Sequence, residues 1–172
     1  FRGKPFADAM EYWDNYPVKF HIVDKETGQK VNSSFSYQAD AFVNIHQVNA
    51  YEENDKIILD VCAFTDGNVF NGFFLKTIQS SECDKYMAGL PKPLVRRYVL
   101  PLKLSEDMKP GDDLIKLNNT KATAVLKDAK TIHLEHQPIG NDHLEFPQIN
   151  YKHYNTKKYR FAYGCSFLRT QF

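Results

Sequence analysis

Short segments rich in β-branched and aromatic residues recur along almost the whole chain, and clusters of turn-forming residues separate them. This pattern is typical of β-strands, and about ten strands with hardly any helix predict an all-β fold. Only 80–88 has the composition of a short helix. The spacing suits a sandwich, a barrel or a run of propeller blades alike. The candidate strands are 18–23, 31–37, 42–51, 57–64, 69–78, 94–102, 114–117, 122–126, 131–135, 148–151 and 159–167.

Charge and cysteine content narrow the classes of protein that the chain can belong to. The formal net charge is only +1, so we expect no nucleic-acid partner. Three widely spaced cysteines, Cys62, Cys83 and Cys165, form neither a disulfide framework nor a metal knuckle, which favours an intracellular location. The chain starts at Phe1 without a methionine or a leader, and we therefore expect a fragment of a longer protein.

His46 lies in the middle of the predicted strand 42–51, where strict alternation would place it on one face with Phe42, Asn44, Val48 and Ala50. A histidine in such a mostly apolar row has two interpretations. It is either a core imidazole satisfied by a hydrogen bond or a metal ligand that points into a cavity. The residues alone leave both open.

The other histidines give weaker signals. His133, His136 and His143 are close in sequence, but their spacing matches no standard zinc site, so we expect no local zinc site there. On a strand, His133 shares a face with Glu135, whereas His136 points to the opposite side. His21 and His153 flank turns and are predicted to be exposed.

Standard catalytic motifs are missing from the sequence. It contains no glycine-rich phosphate loop, no Gly-x-Ser-x-Gly elbow and no His-Glu-x-x-His helix. Cys62 and Cys83 are interpreted as structural thiols. Of the pair Arg96 and Arg97, we expect one side chain in solvent and the other in an ion pair.

Several longer strings resemble the carotenoid cleavage oxygenase family, in the same order and at similar separations. The most specific are 42–52 (FVNIHQVNAYE) and 144–151 (LEFPQINY), and 96–102 (RRYVLPL) lies between them. Segments 3–9 (GKPFADA) and 163–165 (YGC) are most similar to the animal branch of the family that cleaves the 9',10' bond. The resemblance covers nearly all 172 residues.

The resemblance implies a fold and a site. The family folds as a seven-bladed β-propeller with a non-haem Fe(II) held on its axis by four histidines, so residues 1–172 would be an internal fragment of about three blades. His46 would be one iron ligand, and Glu145 would accept the other ring N–H of that histidine. Phe6, Phe64 and Phe70 fall at positions that line the substrate tunnel. The other three ligands would lie outside the chain.

The resemblance also implies an activity. The parent protein would be a dioxygenase that uses O2 to cleave a double bond of a carotenoid or apocarotenoid. The 9',10' bond is the first expectation, and central 15,15' cleavage or retinoid isomerohydrolysis is the alternative. The location would be the mitochondrion, with the cytoplasm as alternative, and peripheral membrane contact of the full-length protein stays open. A lipid-binding β-propeller without turnover is the alternative from another class.

Overall fold

A computed structural model describes residue 3 and residues 6–117 and 120–166, with the side chains of residues 6, 7 and 73 outside that description. Ten strands form two four-stranded sheets and one two-stranded sheet in this part of the chain. The strands are β1 (Val18–Phe20), β2 (Ser36–Ala39), β3 (Val43–Glu52), β4 (Lys56–Phe64), β5 (Leu94–Pro101), β6 (Thr123–Leu126), β7 (Thr131–Glu135), β8 (Gln137–His143), β9 (Glu145–Gln148) and β10 (Tyr163–Cys165).

The first sheet has the order β1-β2-β7-β6, in which β1 and β2 form an antiparallel hairpin. Gly28 lies in the connection with φ of 69°, because this left-handed conformation costs a residue without Cβ very little. Strands β2 and β7 pair in parallel with Gln38 opposite His133, so distant segments of the chain meet at this seam.

The second sheet has the order β3-β4-β5-β8, and its strands β3 and β4 form an antiparallel hairpin from the predicted strands 42–51 and 57–64. β4 lies between two partners, and its last five residues, from Asp60 to Phe64, are all buried. A strand that is covered on both faces reads as a continuous apolar run, which explains why 57–64 shows no alternation. The third sheet consists of β9 and β10.

The main core lies between the two four-stranded sheets. The ring of Tyr98 stacks on Phe42 with centroids 5.6 Å apart and tilts against Phe20 at 5.1 Å. Tyr37 is 1% exposed, and its hydroxyl donates a hydrogen bond of 2.7 Å to the carbonyl of Pro101. This bond joins the first sheet to the second without leaving a buried polar group unpaired.

Three short α-helices and two 3-10 helices complete the described structure. The α-helices are α1 (Leu75–Ile78), α2 (Cys83–Ala88) and α3 (Tyr151–Tyr154), and the 3-10 helices are Phe6–Ala9 and Gly67–Phe73. Helix α2 confirms the short helix predicted at 80–88. No helix among the described residues is both long enough and apolar enough to cross a bilayer.

Three predicted strands are wrong and one strand was missed. Segment 148–151 shares only Gln148 with β9, and Tyr151 begins α3. Segment 69–78 is helical, because the side chain of Asp66 accepts the N–H of Asn68 and starts a 3-10 helix. Segment 114–117 forms no strand. β8 was missed because Pro138 and Gly140 are poor strand formers, and pairing with β5 overrides that local preference. The all-β prediction is confirmed.

Candidate functional site

The structure brings His46 and Glu145 into direct contact although 99 positions separate them in the sequence. Nδ1 of His46 lies 2.6 Å from Oε2 of Glu145. The carboxylate is only 2% exposed, whereas the imidazole is 37% exposed and borders a cavity. The pair therefore joins a buried charge to an accessible ring.

Two irregularities in β3 set the direction of the His46 side chain. Relative to β4, the strand gains one residue between Asn44 and Gln47 and another between Gln47 and Asn49. The alternation that we predicted for this strand is therefore wrong, and Ala50 is exposed rather than on a common face with buried Val48. A β-bulge re-aims the side chains around it, and bulges are common next to functional sites.

Asn44 holds the first bulge in place. Its side-chain amide donates one hydrogen bond of 2.8 Å to the carbonyl of His46 and one of 2.9 Å to the carbonyl of Cys62 on β4. Its side-chain oxygen in turn accepts from the amide of Gln47 at 2.8 Å. These bonds replace ladder bonds that the bulge removes and fix the backbone that carries the imidazole.

The carboxylate of Glu145 has one satisfied oxygen and one that is not. Oε2 accepts from His46 and, at 3.0 Å, from the backbone N–H of Phe146. Oε1 is buried and has no hydrogen-bond partner among the described residues. Burial and the charge of Glu145 together raise the pKa of the Cys62 thiol to about 12, so this neighbour stays protonated and neutral.

Phe146 adopts a conformation that is rare for a residue with a side chain. Its φ is 51°, in the left-handed region, and Pro147 follows it. The ring lies 4.9 Å from the ring of His46, centroid to centroid, and also borders the cavity. Strain of this kind persists where the surrounding structure over-determines it, often at functional sites. This residue was not singled out from the sequence, although Phe146 and Pro147 lie within segment 144–151.

Gly164 allows β10 to approach the strand that begins with Glu145. A Cβ at this position would lie 2.6 Å from the carbonyl oxygen of Glu145 and 2.6 Å from a side-chain carbon of Leu144. Real carbon atoms do not pack so closely, so only glycine fits here. The string Tyr163-Gly164-Cys165 therefore has a structural reason: it closes β10 over the backbone of the carboxylate.

The cavity beside His46 has a volume of about 390 Å³ and a mostly apolar lining. Phe64, Phe70, Val69 and Leu90 are among the residues that line it. Phe6 begins the first 3-10 helix, but its side chain lies outside the described part of the structure. A volume of this size falls within the range of about 300–1,000 Å³ that is typical of small-molecule sites.

The other histidines, the cysteines and the arginines singled out in the sequence, all within the described residues, do not line this cavity. Cys62 is fully buried, and His21 and His153 are exposed, as expected. Arg97 forms the predicted ion pair, with Asp60 at 2.7 Å. Arg96 does not point into solvent, because its guanidinium lies 5.5 Å from the ring of Phe42, and the half-buried side chain replaces the predicted exposed one.

The donor atoms at this site fit a metal ion that binds imidazole. Nδ1 of His46 contacts the carboxylate, and Nε2 has no partner among the described residues. Metal-binding histidines commonly have such an arrangement, in which the second nitrogen donates to a carboxylate. One histidine is not a complete ligand set, so an ion bound here would need further donors.

The described residues share the fold of solved β-propeller structures of the carotenoid oxygenase type. Solved structures with this fold include cobalt-substituted Synechocystis ACO, with a TM-score of 0.55 at 17% identity, and a mutant of Synechocystis apocarotenoid oxygenase, with a TM-score of 0.54 at 18% identity. Each match covers 91% of this chain and 25% of the solved chain. The predicted partial propeller is confirmed.

The sequence agrees with the fold, since residues 1–172 match the family described as retinal pigment epithelial membrane protein. The chain belongs to this family, which is that of the carotenoid cleavage oxygenases. It is 35% identical over 174 residues to the mitochondrial carotenoid-cleaving dioxygenase of Macaca fascicularis and 34% identical to that of Homo sapiens, with 96% of the chain matched. It is also 34% identical to the β,β-carotene 15,15'-dioxygenase of Rattus norvegicus. The chain spans about 30% of the length of these relatives.

Proposed function

We propose that residues 1–172 are an internal part of a non-haem iron(II) dioxygenase that cleaves a carotenoid double bond with O2. In this proposal His46 is one of the iron ligands and Glu145 orients it. The observation that supports the proposal best is the 2.6 Å contact between the buried carboxylate and the cavity-lining imidazole. Membership of the family and the names of the relatives at 34–35% identity agree with it.

Glu145 has two tasks in this site. By accepting at Nδ1 it keeps the ring proton on that nitrogen, so the lone pair for a metal is on Nε2. Its negative charge also makes the imidazole more electron-rich. The N–H of Phe146, which contacts the same carboxylate oxygen, holds Oε2 in place, so the carboxylate cannot turn away from the ring without breaking two hydrogen bonds.

Iron bound by neutral imidazoles would supply a redox-active cation with positions open for O2. The chain itself supplies the surroundings. Phe64, Phe70 and Val69 give the cavity an apolar wall that excludes water and can pack against a polyene. The ring of Phe146 shields one side of His46 and narrows the access to it.

The bond that is cleaved is proposed from the resemblance to two groups of relatives. We favour the 9',10' bond, because segments 3–9 and 163–165 are most similar to that branch and the first relatives are mitochondrial carotenoid-cleaving dioxygenases. Central cleavage is the second candidate, since the rat 15,15'-dioxygenase is 34% identical. By the same resemblance we propose a mitochondrial location for the parent protein.

The metal role can be tested with the full-length protein that contains this chain. We expect His46→Ala to lose iron and activity together, and Glu145→Gln to lower both by roughly 10–100-fold. His153→Ala, which changes an exposed histidine, is the matched control and should bind iron like the wild type. Iron is measured by inductively coupled plasma spectrometry of the purified proteins. Full iron content and turnover in the His46 variant would refute the proposal.

Product analysis tests the bond. The wild-type protein is incubated with β-carotene, lutein and a retinyl ester, and products are identified by liquid chromatography and mass spectrometry. Eccentric cleavage gives two carbonyl products of unequal length, whereas central cleavage of β-carotene gives two equal ones. Binding of carotenoid without any product, in protein loaded with iron, would instead support a lipid-binding β-propeller.

A further inference from the structure

Three side chains with metal-binding atoms meet outside the cavity that contains His46. They are Asp40, His133 and Glu135, and one ligand atom from each lies within 4.8 Å of the other two. Nε2 of His133 is 3.1 Å from Oε1 of Glu135 and 3.8 Å from Oδ1 of Asp40. The same ring nitrogen therefore faces both carboxylates.

The parallel pairing of β2 and β7 builds this cluster. Gln38 is opposite His133, and continuing the register by two residues places Asp40 beside Glu135. The residues between them, Ala39 and Leu134, are each 1% exposed and point into the core. Because side chains alternate along a strand, the three candidate ligands share the outer face at the carboxyl ends of both strands.

The burial of the three residues differs in a useful way. The His133 side chain is 21% exposed and is therefore held by its neighbours, whereas the side chains of Asp40 and Glu135 are 88% and 54% exposed. Donor atoms of a tetrahedral zinc site lie about 3.4 Å apart, from metal–ligand distances of about 2.0–2.2 Å. Rotation of the two exposed carboxylates around a fixed imidazole reaches this spacing without moving the backbone.

Charge at the cluster favours a cation. Within the described residues, the ion pairs of Asp40 and Glu135 are with His133 and with no lysine or arginine. Arg96 and His136 line the small pocket of about 210 Å³ that adjoins the two carboxylates, so some positive charge is near. The arginine lies over the ring of Phe42 and does not reach ion-pair distance.

We propose that Asp40, His133 and Glu135 form a zinc site at the outer ends of β2 and β7, distinct from the proposed iron site. One imidazole and two carboxylates suit Zn²⁺ better than Mg²⁺ or Ca²⁺, which prefer oxygen ligands alone. A solvent molecule would complete the tetrahedron.

The ligand set explains why sequence reasoning rejected zinc in this region. The spacing of His133, His136 and His143 matches no standard zinc site, and a strand places the first two on opposite faces. In the structure, the other two candidate ligands are carboxylates rather than histidines. Asp40 comes from a strand far away in the sequence, and Glu135 was noted only as a residue that shares a face with His133.

Titration of the full-length protein with Co²⁺ and Zn²⁺ tests the proposal. All proteins carry His46→Ala, which removes one ligand of the proposed iron site, and they differ from one another only at the residues under test. We expect Co²⁺ to give the visible absorption of a four-coordinate ion and Zn²⁺ to displace it. His133→Gln should weaken Zn²⁺ binding by at least tenfold, and the matched exposed variant His153→Gln should not change it.

A second variant tests the site in case His133→Gln does not fold. Asp40→Asn changes an 88% exposed side chain and should weaken Zn²⁺ binding about tenfold, with the thermal unfolding of the metal-free protein unchanged. Zn²⁺ should also raise the unfolding temperature of the protein that retains Asp40 by more than that of the Asp40→Asn variant at the same Zn²⁺ concentration, because tighter binding to the folded state stabilises it more. Equal Zn²⁺ affinity in all these proteins would overturn the proposal, whatever the activity of the parent enzyme.

Discussion

Asp60 and Glu145 are both buried carboxylates that contact a residue far away in the sequence, but their surroundings differ. Each meets a residue 99 positions away: Tyr159 donates to Asp60, and His46 contacts Glu145. Asp60 is 0% exposed, and both of its oxygens accept hydrogen bonds from Arg97, at 2.8 and 2.7 Å. Glu145 is 2% exposed and leaves Oε1 without a partner among the described residues.

The difference separates a structural carboxylate from one that acts on its neighbour. The two charges at Asp60 and Arg97 neutralise each other, the pKa of Arg97 is raised by its hydrogen bonds to Asp60, and the pKa of Tyr159 is raised by burial and by the same carboxylate. Glu145 instead directs its charge at a ring that borders a cavity. A fully satisfied network stabilises the fold, whereas a partly satisfied one costs stability and is retained for function.

The largest effect on stability is expected at the structural carboxylate. Asp60→Asn leaves the Arg97 guanidinium inside the protein without its counter-charge, and we expect a loss of about 3–5 kcal/mol in the free energy of unfolding. Glu145→Gln should cost less than about 2 kcal/mol, because one oxygen has no partner to lose. Urea denaturation of the two variants measures the difference. Equal losses would show that the comparison is wrong.

A glycine substitution tests how closely the chain packs around Glu145. Gly164→Ala places a carbon 2.6 Å from the carbonyl oxygen of Glu145, so we expect a loss of about 1–3 kcal/mol in unfolding free energy and a lower iron content. Gly89→Ala is the control, since its new Cβ would meet two carbonyl oxygens at ordinary contact distances of 3.5 and 4.0 Å. Iron analysis and thermal unfolding are measured on both variants. An unchanged Gly164 variant would mean that β10 does not constrain the carboxylate.

The thiol beside Glu145 makes stability depend on pH. The pKa of Cys62 is about 12 in the folded protein, against an ordinary value of 9.0. A raised pKa stabilises the fold below the ordinary value, and this stabilisation is lost as the pH rises from about 9 towards 12, by up to about 1.4 kcal/mol per pH unit. Cys62→Ala should have a flatter profile in this range. The control Val61→Ala should lower stability by the same amount at each pH, and an equally steep profile in the Cys62 variant would refute this origin.

The smallest effect is expected at the bulge in β3. Asn44→Ala removes hydrogen bonds to the carbonyls of His46 and Cys62, which we expect to cost about 1 kcal/mol in unfolding free energy. Iron content should fall more than stability does, because the imidazole loses its direction. Gln47→Ala, which removes a bond to the side chain of Asn44 only, is the milder control. Full iron content in the Asn44 variant would show that the bulge does not position His46.

Strand segments with strong local preference were predictable from the sequence. Segments 42–51, 57–64, 94–102 and 131–135 all form strands close to the expected bounds, since their β-branched and aromatic residues fit a half-buried pleated surface. Segment 69–78 was not predictable, because the cap at Asp66, three residues before it, starts a 3-10 helix that runs to Phe73. β8 forms only where β5 offers it a partner.

Some parts of the candidate site were also indicated by the sequence, and others were not. Family resemblance pointed to His46 and Glu145, and the structure brings them together with Phe64 and Phe70 around one cavity. Nothing local in the sequence shows the two bulges, the left-handed Phe146 or the meeting of Asp40 with His133. Each of these arises from the register between strands that are remote in the chain.

The order of apolar, aromatic and turn residues therefore determined by itself that this chain folds into β-sheets, because side-chain shape and backbone freedom act over a few residues. Only the tertiary structure decided which polar groups lie side by side. The direction of the His46 ring, the half-satisfied carboxylate of Glu145 and the outer cluster at Asp40 depend on contacts between distant strands, and those contacts exist only once the sheets have packed.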